Sequence, residues 1–484
     1  MPTLKLKIND KTEYIVFEGT PILQKLLSER GFMPAADCGG RGVCGRCRVD
    51  ISGDISEPSE SEKAHGCRLA CKVRLLGDCI AEISSVQRLE YIESNTCITA
   101  KKKEKWRFGA AVDIGTTTVA LKLFNELGMP IAELSAMNPQ ASVASDVIGR
   151  ISSAINGGSE LLRDQITSCV SGLLNSACRI GRVMPDEVDR VVVSGNTAML
   201  YLFSGISPKS IAVAPFKSET LFGNYLEKYY LSPCMNAFVG GDITCALLAS
   251  GICKSKKTAL LCDIGTNCEL ALWKNGVLYV TSVAAGPAFE GGEISCGCGN
   301  VPGAIESVIV ENGVVSAQTA GNSAAVGICG TGLIDAVSAF LKIGRIDKSG
   351  YADESLGLEA NGGAVTLTQD DIRALQLAKA AVRAGIEVLL KETKTDVSEI
   401  EDFCLAGGFG NRLNIDSAVN IGMLPEGLAK NTRFLGNAAL TGACMLLFDS
   451  DNITLAEKIA SNATHIELAG NEAFYTLFIK HIDF

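Results

Sequence analysis

Alternation of apolar and polar positions opens the chain. Thr3–Ile8 and Thr12–Phe17 alternate on either side of Asn9-Asp10, which predicts two strands paired through a turn. Pro21 then opens a short apolar helix over Ile22–Glu29, which Gly31 stops. Further short strands are predicted at Cys47–Ile51, Cys71–Leu75 and Ile80–Ile83. From Phe108 onward the pattern changes, and strands rich in β-branched residues alternate with long helical stretches. The strands are Gly109–Phe124 (broken by a turn), Arg190–Ser194, Ala259–Asp263, Glu269–Trp273 and Phe403–Ala406. The helices are Leu161–Arg182, Ile334–Ile343, Gln369–Lys391 and Ala438–Leu447. Such alternation predicts an α/β domain. Between Cys97 and Arg107 the composition turns to Thr-Ala-Lys-Lys-Lys-Glu-Lys-Trp-Arg, read as a solvated tether. The predicted organisation is a first domain over 1–96, a linker over 97–107 and a second domain over 108–484, with halves near 108–258 and 259–484.

Composition narrows the class. The 484 residues are 47% hydrophobic and 20% charged, with 50 glycines and a formal charge of −10. A net acidic surface argues against general nucleic-acid binding. The longest uncharged stretch, Asn312–Ile334, is full of Gly, Ser, Asn, Gln and Thr, so no membrane span is expected. The first residues alternate around Lys5 and Lys7 rather than forming an export signal, which predicts a cytoplasmic protein. There the 19 cysteines are mostly reduced thiols, and the question is which few are chemical.

One group stands out: Cys38-Gly-Gly-Arg-Gly-Val-Cys44-Gly-Arg-Cys47, then Arg68-Leu-Ala-Cys71. Three cysteines in a Gly-rich loop and a fourth farther on match plant-type [2Fe–2S] ligation, with five residues in the first gap instead of four. Glycines let the loop wrap a cluster and turn N–H groups toward its sulfides. Zinc is the alternative for such thiolates, but a zinc ribbon brings two Cys-x-x-Cys pairs and this segment has one. Strand, strand, helix and Cys-rich loop together give the layout of a β-grasp ferredoxin. In related ferredoxin domains the fourth cysteine sits in an Arg-Leu-Ala-Cys setting at the start of a strand. That resemblance selects Cys71 as the fourth ligand, with Cys67 a neighbour and Cys79 packed in the final strand.

The second domain carries a duplicated loop. Ala111-Val-Asp113-Ile-Gly115-Thr116-Thr117-Thr118 and Leu261-Cys-Asp263-Ile-Gly265-Thr266-Asn267-Cys-Glu269 are each strand, Gly-Thr turn and strand, 150 residues apart at their aspartates. Such a turn offers N–H groups and hydroxyls to phosphate, and its Asp can hold Mg²⁺ through water. The other parts resemble the actin, sugar-kinase and chaperone (ASKHA) superfamily. Val239-Gly-Gly-Asp242-Ile-Thr244 is similar to its first connecting helix. Gly330-Thr331-Gly332 opens a helix whose free N–H groups suit phosphate. Leu405-Ala-Gly407-Gly408-Phe409-Gly410 resembles its adenosine motif. The implied fold is a β-grasp ferredoxin domain (α+β) fused to an α/β ASKHA-type ATPase of two halves around a nucleotide cleft. Asp113 and Asp263 would face each other there and organise Mg²⁺, while Asp242 orients the attacking water.

Longer strings identify a family. Ser194-Gly-Asn196-Thr197-Ala-Met199, Val213-Ala-Pro215-Phe216, Ala285-Gly-Pro287-Ala-Phe289-Glu290-Gly291, Pro302-Gly-Ala-Ile-Glu306 and Gln376-Leu-Ala-Lys379-Ala-Ala-Val-Arg383-Ala-Gly385-Ile resemble the reductive activators of corrinoid proteins. Those are ATP-dependent, ferredoxin-like activators of corrinoid-dependent methyltransferases. The resemblance implies ATP-dependent return of one electron from a [2Fe–2S] cluster to Co(II), restoring Co(I). It implies a corrinoid protein as partner and a low-potential donor such as a ferredoxin or flavodoxin, and leaves a homodimer open. Two departures stand out. Longer relatives place a linker and a middle domain before the phosphate-binding core, for which the strand near Phe108 leaves no room. Cys268 takes a place where Gly is expected and would narrow the phosphate pocket. Cys268, Cys296, Cys298 and Cys329 are either isolated thiols or a metal or redox group.

Other classes remain to be weighed: an ATP-gated donor to a different low-potential enzyme, of the 2-hydroxyacyl-CoA dehydratase activator type, or a nucleotide-dependent partner-binding module. The Cys38–Cys71 motif favours corrinoid activation, because those activators carry their cluster at a dimer interface and have no N-terminal ferredoxin. A sugar kinase has no need of a one-electron centre.

Overall fold

In a computed structural model of the protein, the described residues are 2–8, 11–29, 32–34, 47–83, 86–88, 103–410 and 413–484. The chain divides into two compact units. The first is Met1–Thr220 with Asn224–Leu231 and Leu447–Asp449; the second is Leu221–Gly223, Ser232–Leu446 and Ser450–Phe484.

The first unit begins with a four-stranded sheet. Strands β1 (Thr3–Ile8) and β2 (Lys11–Val16) pair antiparallel, as the alternation predicts. After helix α1 (Leu23–Glu29) come β3 (Asp50–Ile55), helix α2 (Glu60–His65) and β4 (Leu75–Ile83). The order is β2-β1-β4-β3, with β1 parallel to β4 at the centre. Leu4 and Leu6 on one face of β1 pack with Leu23, Leu26 and Leu27 of α1, which is the β-grasp core. One expectation is corrected, and one helix was not foreseen. Cys71–Leu75 is not a strand until Leu75, because Ala70 N–H donates to Cys47 O (2.7 Å), and Lys72 and Val73 donate back to Leu69 O (2.8 and 3.0 Å). Those donors are spent in a turn, so Lys72 and Val73 have no N–H to offer a sheet. Helix α2, too short to show a hydrophobic period, is instead made by a capping box between Ser59 and Glu62.

The same unit contains a second sheet built from β5 (Phe108–Ile114), β6 (Thr118–Phe124), β7 (Pro130–Met137), β8 (Val188–Gly195), β9 (Asn224–Leu226) and β10 (Tyr229–Leu231), in the order β9-β10-β8-β5-β6-β7. Helices α3 (Val147–Ser153), α4 (Ser159–Gly181) and α5 (Thr197–Ser204) accompany it.

The second unit contains α6 (Gly241–Ser250), β11 (Ala259–Ile264), β12 (Asn267–Lys274), β13 (Val277–Ala284), α7 (Gly330–Lys342), α8 (Gln369–Glu392), β14 (Asp402–Ala406), β15 (Thr432–Gly436), α9 (Ala438–Phe448) and β16 (Ala463–His465). Its sheet runs β15-β14-β11-β12-β13-β16. In each large sheet an antiparallel three-strand meander follows the Asp-bearing strand, and a parallel strand flanks that strand on its other side. This is the duplication foreseen from the repeated loop. Helix α6 groups with the second unit, not with the half ending near 258, because Val239, Ile243, Ala246 and Leu247 share a core with Ala259, Leu261, Ala271, Cys404 and Ala406. Among the described residues no helix is long and apolar enough to cross a membrane.

The tether differs from its reading as a solvated chain. Residues 97–102 lie outside the described residues, but Lys103–Arg107 is packed down. Lys103 N–H and Glu104 N–H donate to Phe448 O at 2.8 and 3.2 Å, and Trp106, 7% exposed, donates its indole N–H to Leu447 O at 3.2 Å. The charges are used internally as well: Lys103 pairs with Asp449, Glu104 with Arg190 and Arg107 with Asp189. An indole body beside an apolar helix end outweighs the solvation of the neighbouring lysines. Trp106→Ala should therefore cost about 3–5 kcal/mol in urea unfolding. Lys103→Ala, which removes only an exposed ion pair, should cost below about 1 kcal/mol. Equal effects would show that charge, not packing, fixes this segment.

Candidate functional site: a thiol pair and two phosphate loops

Two short segments of the ferredoxin domain zip together. Val49 N–H donates to Arg68 O (3.1 Å) and Ala70 N–H to Cys47 O (2.7 Å). The second segment is fixed from behind by Glu62, which is buried, pairs with Arg68 at 2.9 Å and accepts from Leu69 N–H at 3.1 Å. Burial works to raise the Glu62 carboxyl, but the bonds from Arg68, Ser59 and Leu69 outweigh it and hold it below its ordinary value. The result brings Cys47 Sγ and Cys71 Sγ to 3.3 Å, both buried. Cys47 Sγ donates to Cys71 Sγ, and this contact draws the Cys47 thiol down to about 7 against the opposing effect of burial. A thiol so placed is readily a thiolate, the form that binds iron. Cys67 is half-buried and its N–H closes α2 onto Glu62 O at 3.3 Å. Burial, with Asp78 and Asp54 nearby, pushes Cys79 up to about 11, a packed thiol as expected. Cys38 and Cys44 lie outside the described residues.

In the first unit, Asp113 lies next to the end of β5, flanked in register by Ser194 of β8 and Ala120 of β6. The following loop is held by its carbonyls. Gly115 O accepts from Asn138 Nδ2 (2.8 Å), Thr116 O from Arg150 Nη2 (2.7 Å) and Thr117 O from Asn138 N–H (2.8 Å). With its carbonyls drawn into the protein, the loop presents less negative charge to an anion. Thr116 Oγ1 accepts from Asn196 Nδ2 at 3.2 Å. A Cβ on Gly115 would lie 2.7 Å from Thr118 O, so the turn requires glycine. Asn138 and the fully buried Arg150 belong to no motif read in the sequence; only the fold brings them to the loop.

The second unit gathers the acids. Asp263 on β11 stands opposite Glu269 on β12, which stands opposite Ser282 on β13, so all three share one face. Ser282 Oγ donates to Glu269 Oε1 at 3.2 Å. Asp242, in the first turn of α6, accepts from Ile243 N–H at 2.8 Å. Burial pushes Asp242 up to about 6; burial, then the charge of Asp242, pushes Asp263 up to about 7. Burial and both aspartates raise Glu269 well above an ordinary carboxyl. Sequence reasoning quoted Glu269 within its loop but gave it no role. On the other flank of Asp263, Gly407 has φ +88°, and a Cβ there would lie 2.6 Å from Asp263 Oδ1 and 2.9 Å from Ile264 O. The Gly407-Gly408 turn thus touches the second phosphate loop; the Phe409 side chain lies outside the described residues. In that loop Gly265 N–H donates to Asn267 O (2.9 Å), and Thr266 gives its N–H and hydroxyl to Glu290 at 3.2 and 2.9 Å.

Two groups of residues named above are buried, and for Cys268 the expectation changes. Gly330, Thr331 and Gly332 are buried: Thr331 gives its hydroxyl to Glu306 O (3.0 Å), and a Cβ on Gly332 would run into Ile305 O. Their observed role is to pack the start of α7. Cys268 does not narrow the phosphate side, since it is fully buried in the hydrophobic core with Cys262, Ile264 and Leu270, 3.3 Å from Cys262 Sγ. Among the described residues no group of three or more His, Cys, Asp or Glu side chains is arranged to hold a metal ion. The idea of a metal centre at Cys268, Cys296, Cys298 and Cys329 gains no support, and any Mg²⁺ near the acids would be held through water.

A β-grasp domain with a buried thiol pair, joined to a duplicated sheet pair whose Asp-Ile-Gly-Thr loops are backed by buried polar groups, defines a ferredoxin-linked nucleotide-binding protein. Comparison with known proteins is more specific. Residues 6–76 match the 2Fe-2S iron-sulfur cluster binding domain, residues 108–255 the RACo middle region, and residues 257–484 the C-terminal domain of RACo, the ASKHA domain. The corrinoid activation enzyme RamQ of Eubacterium limosum is 31% identical over 83% of this chain and 73% of that protein. The [Co(II) methylated amine-specific corrinoid protein] reductase of Methanosarcina barkeri is 25% identical over 78% and 77%. A solved reductive activator for corrinoid, iron-sulfur protein is 26% identical, with a TM-score of 0.72 over 99% of this chain and 98% of that one. The chain belongs to the family of reductive activators of corrinoid proteins. The expectation that the middle domain is missing is corrected, since residues 108–255 match that region and the solved relative is covered almost throughout.

The crowded acids make stability depend on pH. A carboxyl raised from 3.8 to about 7, as for Asp263, binds more protons folded than unfolded across that interval, so its contribution falls as pH rises from about 4 to 7. Asp263→Asn should raise the melting temperature at pH 8 by about 2–4 °C and flatten its decline between about pH 4 and 7. An unchanged slope would show that Asp263 ionises freely.

Proposed function

We propose that this protein is an ATP-driven reductase of a corrinoid protein, in which Cys38, Cys44, Cys47 and Cys71 hold a [2Fe–2S] cluster. The observation that carries the cluster reading is the buried Cys47–Cys71 pair in a β-grasp fold. Bound there, the cluster supplies a single electron at low potential, about −400 mV for the plant type. Cys47 and Cys71 fit that task because they are already within contact distance and need little rearrangement to share a metal.

The nucleotide reading rests on the two phosphate loops. Gly115, Thr116 and Thr117 of the first loop, and Gly265, Thr266 and Asn267 of the second, are the residues assigned to the phosphates of ATP. Gly407 and Gly408, with Phe409, take the adenosine. Asp113 and Asp263 hold Mg²⁺ through its waters, and Asp242 orients the attacking water. A cation arriving with ATP favours the charged form of Asp263, which burial otherwise disfavours. ATP turnover biases an uphill electron transfer only if the partner binds the nucleotide states differently. The electron donor is a ferredoxin or flavodoxin, the compartment is the cytoplasm, and the relatives named for corrinoid activation support the choice of substrate.

Mixing the reduced protein with a purified Co(II) corrinoid protein tests this reading: the Co(I) absorption band should grow only with ATP. Cys71→Ser should abolish or strongly alter the visible cluster spectrum, and Cys67→Ser should leave it largely intact; the opposite pattern would exchange the fourth ligand. Asp263→Asn should keep the cluster spectrum and lose at least about 100-fold in ATP hydrolysis and ATP-driven reduction. Normal activation in that variant would remove the nucleotide role.

A further inference from the structure

The second phosphate loop is covered by an acid that the reading above leaves without a role. Glu290 closes the turn Pro287–Glu290 that follows β13. Its carboxylate accepts both donors of Thr266, the N–H on Oε1 at 3.2 Å and the hydroxyl on Oε2 at 2.9 Å. A Cβ on Gly265 would lie 3.2 Å from the same Oε1, so the carboxylate spans the tip of the loop. A backbone N–H and an adjacent hydroxyl are the donors with which a phosphate loop takes hold of a phosphoryl oxygen. Each of the two protons serves one strong acceptor at a time, and two anions brought to the same donors repel each other. A phosphate can therefore take Thr266 only by displacing Glu290.

We propose that Glu290 is an internal competitor for the nucleotide's phosphate, a positioning residue that sets nucleotide affinity and release at the second loop. The inference rests on the ATP-site reading above. The side chain, not the turn, is the moving part. Ala288 and Phe289 are buried in the core, and a Cβ on Gly291 would lie 2.7 Å from the backbone of Cys298, so the turn is held on both sides. A glutamate side chain has three rotatable bonds with which to leave the loop and return. While it is bound to Thr266 it keeps the tip in one conformation, and on its return it hastens the departure of ADP. The cost is weaker binding of nucleotide, which suits a cycle that must release its product to reset.

The test uses the full chain with its cluster, and measures binding of ADP, of a non-hydrolysable ATP analogue and of adenosine by calorimetry. Glu290→Gln keeps the shape and removes the charge; it should tighten both phosphate-bearing ligands about tenfold and leave adenosine unchanged. KM for ATP should fall by a similar factor and ADP release should slow. In a Thr266→Ala background the same substitution should gain less, because part of the competition passes through the hydroxyl. Glu290→Ala, with its own melting temperature and cluster spectrum recorded, checks that the gain does not depend on the amide. Equal or weaker nucleotide binding in both Glu290 variants would overturn the proposal. Failure of the unsubstituted protein to bind any adenine nucleotide would overturn the ATP site itself, a distinct result.

Discussion

Three carboxylates are forced into one poorly solvated place at the end of the second unit's sheet, and much of that unit is arranged around them. Antiparallel register alone puts Asp263 and Glu269 on the same face of adjacent strands. Helix α6, packed over the same face through Ile243 and Leu247, adds Asp242. Each charge raises the next, so the cluster ionises reluctantly. A protein keeps such a cluster when a ligand supplies the missing positive charge, because burial then strengthens the attraction it had opposed. The close approach of Gly407 to Asp263 belongs to the same arrangement: the turn proposed to meet the adenosine cannot shift without disturbing the acid proposed to meet the metal.

Duplication has produced two halves with one topology and two kinds of chemistry. Across the first sheet the row runs Ser194, Asp113, Ala120, Ser135; across the second it runs Ala406, Asp263, Glu269, Ser282. The first loop has a single acid in this row and is braced by neutral and cationic donors, Asn138 and Arg150, that tie down its carbonyls. The second has two, with a third carboxylate on α6. Holding phosphate is favoured by the first environment, and handling protons, water and a cation by the second. Sequence identity between the loops therefore overstates their likeness, because the residue that differs most in consequence, Ala120 against Glu269, lies on the return strand and not in the turn.

The strands and helices with a clear period, from Thr3–Ile8 to Gln369–Glu392, were legible because a single local pattern determines each. Cys71, singled out by resemblance and not by spacing, lies with its Sγ 3.3 Å from that of Cys47. What escaped the sequence was set by contacts distant along the chain. Arg150 reaches Thr116 across 34 positions and Gln140 across 10, with no motif to mark either. The facing of Cys268 depends on strand register, and a one-residue slip would have turned it to the phosphate side. Cys71–Leu75 has strand-like composition, yet its Lys72 and Val73 N–H groups are taken by Leu69 O, and that of Arg74 by Ser56 Oγ, before a sheet can use them.

The Lys-rich segment that follows the ferredoxin domain is tied down at its described end. A tether solvated throughout would leave its described end, Lys103–Arg107, without fixed backbone partners. Lys103 and Trp106 are instead bonded to Phe448 and Leu447 at the end of α9. That helix begins among residues of the second unit, where a Cβ on Gly442 would run into Cys245 O of α6. Helix α6 carries Asp242 at its first turn. Within the second unit α6 and α9 are thus close-packed, and such a contact does not deform gradually. Close packing does not by itself establish coupling, which requires two states that both sites bias. At the other end of α9 the foot of the tether is no free chain, because Lys103 and Trp106 are bonded to the backbone of Phe448 and Leu447.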